Sequence, residues 1–89
     1  MACYIVTFQT ASETSRQKVI EKLKSYQYYC PIHDNCWAIL TDQSAANIRD
    51  AVITVMSTGE RLFVIRSGTE GAWLNTYGND NSDWLKKNL

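Results

Sequence analysis

The order of patterned segments predicts an α+β fold in which strands and helices follow one another as β-α-β-β-α-β. Three observations carry that expectation. Runs of β-branched and aromatic residues alternate with stretches of helical spacing. The single proline falls in a short apolar segment that an outer strand would suit. The chain has 89 residues, 45% of them hydrophobic and 11% aromatic, which is material for one core and no second.

The first strand is "ACYIVTF", ended by "QTASE". Thr10 and Glu13 have the spacing of a capping box, and Ser12 is a rival N-cap. Beyond them Val19, Ile20, Leu23 and Tyr26 fall on one helical face, with Lys18, Glu21 and Lys22 opposite. "YYCPI" and "CWAIL" flank "HDN", whose side chains tolerate turns, so the pair reads as a hairpin. Pro31 cannot donate to a ladder, so its strand belongs at an edge. "TDQSAANIRDAVITVM" opens with capping residues and sets Ala45, Ile48, Ala51, Val52 and Val55 on one face. Gly59 lies just beyond, where a helix C-terminus can use it. "RLFVIR" is the last strand of the plan, apolar toward both faces and expected to be at least partly covered on both.

That order is the ferredoxin-like or split-βαβ plan. It predicts a four-stranded antiparallel sheet in chain order 4-1-3-2, both helices on one face, and the Pro31 strand at an edge. Residues 71–89 exceed the plan. "AWLNTY" reads as a possible fifth strand, "GNDN" as a turn, and Ser82 as the cap of a short helix carrying Trp84, Leu85 and Leu89. Each large side chain gains ~1.5–3 kcal/mol on burial, so this tail is expected to dock, within its own chain or across a dimer. Residues 1–89 are thus read as one domain with a docking and dimerisation tail at 71–89. Phe63, Ile65, Trp73, Leu74, Tyr77, Trp84 and Leu85 are the expected contacts. With helices on only one face, a homodimer using the other face or the last strand's edge is favoured.

Nine basic and nine acidic residues leave no net charge, whereas duplex DNA binders usually carry a basic surplus. Local basic clusters exist at Arg16, Lys18, Lys22 and Lys24, and at Lys86 and Lys87. Arg16, Lys18, Lys22 and Arg66 are the candidate contacts to nucleic acid or a protein partner, with a solvated helix face as the simpler reading of the cluster. No signal-peptide pattern and no membrane-length apolar run is present, and three cysteines suit free thiols, so a cytoplasmic protein is expected.

The most chemical-looking stretch is "CPIHDNC". Cys30, His33 and Cys36 could offer a metal three soft ligands, with Asp34 as a hard fourth. A structural zinc site normally closes with a second, distant pair, and only Cys3 remains. A turn flanked by small core cysteines is favoured, and neither a metal nor a cofactor is expected. The carboxylates Asp34, Asp42 and Glu60 fall at turns or helix ends, and Asp50 sits beside Arg49 on an exposed face. Ser67-Gly68-Thr69-Glu70-Gly71 lacks the lysine of a phosphate-binding loop and reads as a connector. Tyr4, Phe8 and Trp37 on central strands could serve as stacking aromatics, but serve a core or dimer equally well. No catalytic residue stands out.

Through "YIVTFQT", "HDNCWAILTDQSAANIRDAV", "ERLFVIRSG" and "SDWLKKNL", the chain resembles the small CRISPR-associated Cas-two-like proteins, especially their stand-alone SinR-family relatives. The resemblance implies a homodimer joined partly by the segment after the fourth strand. It also implies a place in mobile-element or antiviral-defence systems, beside VapD-like ribonucleases of the same fold. The family's catalytic aspartate ends the first strand after a tyrosine; here the matching dipeptide is Phe8-Gln9. A neutral amide cannot supply the charge a hard divalent ion wants, so the expectation is a noncatalytic binding module acting on another macromolecule. The alternatives are a metal-dependent endoribonuclease or endodeoxyribonuclease with carboxylates from elsewhere, or nucleic-acid binding without cleavage.

Overall fold

The computed structural model describes residues 1–68, 70–74 and 77–89. Its elements are β1 (Ala2–Gln9), α1 (Glu13–Leu23), β2 (Tyr28–His33), β3 (Cys36–Thr41), α2 (Ala45–Ile53), β4 (Arg61–Arg66) and α3 (Asn79–Asn88). The strands form one antiparallel sheet in the order β2-β3-β1-β4, the predicted order read from its other edge.

Strand side chains alternate between faces, so the register sorts the core. Tyr4, Val6 and Phe8 of β1, with Trp37 and Ile39 of β3, point to one face. Val19, Ile20 and Leu23 of α1 and Ile48 and Val52 of α2 close over them. Both of these helices therefore cover the same face, as predicted. The opposite face gathers Cys3, Cys30 and Ala38 under Leu85 of α3, with Trp73 and Trp84 packed around them.

Local signals set most element boundaries. Ser12, not Thr10, caps α1: its Oγ accepts from the Ser15 amide at 3.1 Å. Ser44 caps α2 in the same way through the Asn47 amide. Such caps contribute ~0.5–2 kcal/mol each. Helix α2 stops at Ile53, short of the expected span. Gly59, at φ +86°, serves the turn into β4 instead of the helix end. Val55 and Met56 still pack on the core from the following turn. In the hairpin His33 pairs with Cys36, so the turn is Asp34-Asn35, tighter than "HDN". Pro31 lies on edge strand β2, and the ladder is irregular between Pro31 and His33.

The tail departs most from expectation. Among the described residues of "AWLNTY" there is no strand; Asn75 and Thr76 lie outside the described residues. Helix α3 begins at Asn79 after Gly78, so Asn79, Asp80, Asn81 and Ser82, expected as turn and cap, are four more helical residues. Its anchoring is tertiary. Leu85 is 1% exposed, Asn81 donates to the Pro31 carbonyl at 3.1 Å, and the Trp73 indole donates to Ser82 Oγ at 3.1 Å. The tail docks within its own chain.

Because Leu85 is the buried centre of that contact, Leu85→Ala should cost about 2–5 kcal/mol in urea denaturation. Leu74→Ala, at a side chain 86% exposed, should change stability by less than about 0.5 kcal/mol.

Candidate functional site

The position expected to carry chemistry, Gln9, ends β1 and is exposed. It stands opposite Arg61 in the β1–β4 register, and Arg61 Nη1 donates to Gln9 Oε1 at 2.7 Å. A shallow depression surrounds the pair, lined also by Thr7, Phe63 and Glu60. Glu60 is the carboxylate of that depression, and it is already engaged. Its two oxygens accept from the Ser57 amide at 2.7 Å and the Ala11 amide at 2.8 Å. Those two backbone donors, Ser57 first, hold its pKa below the usual glutamate value. Glu60 thus ties the α2–β4 loop to the β1–α1 loop.

The residues of "CPIHDNC" do not converge. Cys30 faces the α3 side beside Cys3, His33 is exposed, and Cys36 is buried at the far end of the hairpin. Burial pushes all three thiols above their usual pKa, which disfavours thiolate formation. Among the described residues no three His, Cys, Asp or Glu side chains are grouped to hold a metal ion.

The basic candidates separate as well. Arg16 is a structural clamp: Nε donates to Asn35 Oδ1 at 2.9 Å, Nη2 to the Asp34 carbonyl at 2.8 Å, and Nη1 pairs with Glu13 at 3.0 Å. The amide of Phe8 adds a bond to the Asn35 carbonyl at 3.0 Å, and Tyr77 donates its hydroxyl to Asp34. That bond to Asp34 is the largest cause of the raised Tyr77 pKa, so the phenol stays neutral. Lys18 and Arg66 are exposed and Lys22 is half-buried, and the three do not share one element. The expected tail and dimer contacts divide cleanly. Trp73, Trp84 and Leu85 dock on the sheet, whereas Phe63 (59% exposed), Ile65 (49%) and Leu74 stay largely in solvent and Tyr77 reaches back through its hydroxyl to Asp34.

The sequence left open how far the tail covers the second sheet face, with Phe63 and Ile65 already among its expected contacts. Leu62 and Val64 pack toward α1 and α2, whereas Phe63 and Ile65 on the other side of β4 are 59% and 49% exposed, so the cover expected at least in part on both faces is only partial on this one. A groove of ≈ 710 Å³ runs between this strip and α3, floored by Ile5 and Ile65 and walled by Leu85 and Leu89. The ten residues of α3 span about 15 Å and cannot roof four strands. The phosphate-loop stretch Ser67–Gly71 includes Thr69, which lies outside the described residues.

No family model matches the chain, and no curated protein matches it. Among solved structures it is similar to a hypothetical protein from Thermus thermophilus. The TM-score is 0.68 at 18% identity, covering 84% of this chain and 92% of that one. The likeness is one of fold. Among the described residues no helix is long and apolar enough to cross a membrane.

The lowered pKa of Glu60 gives a signed expectation. Its contribution is complete above the usual value of 4.5 and is lost as pH falls through the lower folded value. The stability gap between wild type and Glu60→Gln, read by denaturation at a series of pH values, should be full at neutral pH and close in acid.

Proposed function

We propose that this chain is a noncatalytic, homodimeric binding module of Cas-two-like kind that acts on another macromolecule in the reducing cytoplasm. The observation that carries the reading is the apolar strip of Phe63 and Ile65, beside an edge strand that no described strand pairs with. Two large apolar side chains left half in water on a sheet edge are a standing cost and an aggregation hazard, and self-association removes both. A protein partner is favoured over nucleic acid. Arg66 lies on β4 and apart from Lys18 and Lys22 of α1, and Arg16 is consumed inside the fold.

The chemistry at Gln9 supports the noncatalytic part. A nuclease of this kind would need an acid there to hold a divalent ion. The Arg61 guanidinium lies directly across from position 9, so even an aspartate would find a fixed cation as its nearest partner. The neighbouring carboxylate, Glu60, is committed to two backbone amides.

Light scattering should give a mass near twice 10.2 kDa. Phe63→Glu should return the monomer mass with an unchanged far-ultraviolet circular dichroism spectrum. A wild-type monomer over a wide concentration range would sink the dimer. Labelled RNA and DNA incubated with Mg²⁺ or Mn²⁺, and then with EDTA, should remain intact throughout. Cleavage that EDTA abolishes would overturn the noncatalytic reading in favour of a metal-dependent nuclease.

A further inference from the structure

The connector after β4, which lacks the lysine of a phosphate-binding loop, has another place in the fold. Its described residues, with Ala72 and Trp73, line the ≈ 710 Å³ groove together with the sheet and α3. Gly68, Gly71 and Ala72 carry little or no side chain, so this wall is mostly backbone and the space beside it stays free. A Cβ at Gly68 would meet nothing within 4 Å. A concave site of about 300–1,000 Å³ with an apolar lining and a few polar groups suits a small molecule.

Two charges of opposite sign stand at the mouth of the groove. Lys86 of α3 and Glu70 of the connector both line it, and both are exposed. Among the described residues neither side chain makes an ion pair or a hydrogen bond, with the other or with a third group. Arg66 borders the groove as well, but it stands opposite Tyr4 in the ladder. Alternation therefore turns its side chain toward the face that α1 and α2 cover. Ser67 donates its hydroxyl to the Cys3 carbonyl at 3.1 Å. Polar recognition by side chains falls to one cation and one anion above a floor of Ile5, Ile32 and Ile65.

We propose that this groove binds a free apolar α-amino acid, with large aromatic side chains preferred. Its ammonium group meets Glu70, its carboxylate meets Lys86, and its side chain lies on Ile5 and Ile65 against Leu85. The charge balance selects the class. A fatty acid would gain from Lys86 and lose against Glu70, and an alkylamine would do the reverse. A zwitterion gains from both. The size of the groove favours an indole or phenyl ring, whose burial also gives the larger apolar gain. The inference does not rest on the self-association proposed above, and Phe63 does not line the groove.

The test is a titration of isoleucine-methyl-labelled protein with L-tryptophan, followed by NMR. Ring currents should shift the methyls of Ile5, Ile32 and Ile65 and leave Ile20, Ile39 and Ile48, beneath α1 and α2, in place. Tryptamine, without the carboxylate, and indole-3-propionate, without the ammonium, should each bind about two- to five-fold more weakly, as suits exposed charges. Glu70→Gln should weaken L-tryptophan by a like factor and leave indole-3-propionate no weaker. Lys86→Gln should weaken L-tryptophan similarly and leave tryptamine no weaker. Both positions are exposed, so the far-ultraviolet circular dichroism spectrum should not change. No methyl shift, or shifts spread over Ile39 and Ile48, would overturn the site. Either analogue binding as tightly as L-tryptophan would overturn the zwitterion. Tryptophanamide binding as tightly would overturn the free amino acid in favour of a peptide's N-terminal residue.

Discussion

A four-stranded sheet has two faces to keep from water, and this chain has helical cover for one and a half. Helices α1 and α2 close the first face with five of its ten buried side chains, the other five coming from β1 and β3. The second is roofed by α3 alone, whose buried Leu85 sits over Cys3, Cys30 and Ala38. The cover falls on the β2 side and stops before β4. The exposed Phe63 and Ile65 and the groove over Ile5 are consequences of that shortfall. A larger tail would erase the candidate interface, and a smaller one would expose the buried cysteines.

The two-residue turn between β2 and β3 gives the tail a further anchor through Tyr77, beside Leu85, Asn81 and Trp73. Asp34 and Asn35 accept from Arg16 of α1, from the Phe8 amide of β1 and from Tyr77 of the tail. Three elements far apart in sequence are fixed to one tight turn, largely through its carbonyl and amide groups. The side-chain bonds are exposed, and each bond is modest by itself, contributing ~0.5–1.5 kcal/mol. Together they fix where α1 and the tail lie relative to the sheet. The "HDN" stretch thus has a mechanical role in place of the metal-binding one its composition suggested.

The parts legible in the sequence were those with local causes. β1 and β4 announce themselves by β-branched runs, α1 and α2 by capping serines and apolar spacing, and the β2 edge by the missing N–H of Pro31. The rest depends on contacts that no window of sequence contains. Gly78-Asn79-Asp80-Asn81 has turn composition, yet it opens α3, because burying Leu85 and satisfying the Pro31 carbonyl outweigh weak helix propensity. Arg16 looked like one more cation on a solvated helix face, since its acceptors lie 18 and 19 residues away. Gln9 drew attention as a missing acid, but its partner Arg61 is 52 residues distant. That pairing shows more than the missing charge alone. It fills the site with a bonded amide and guanidinium.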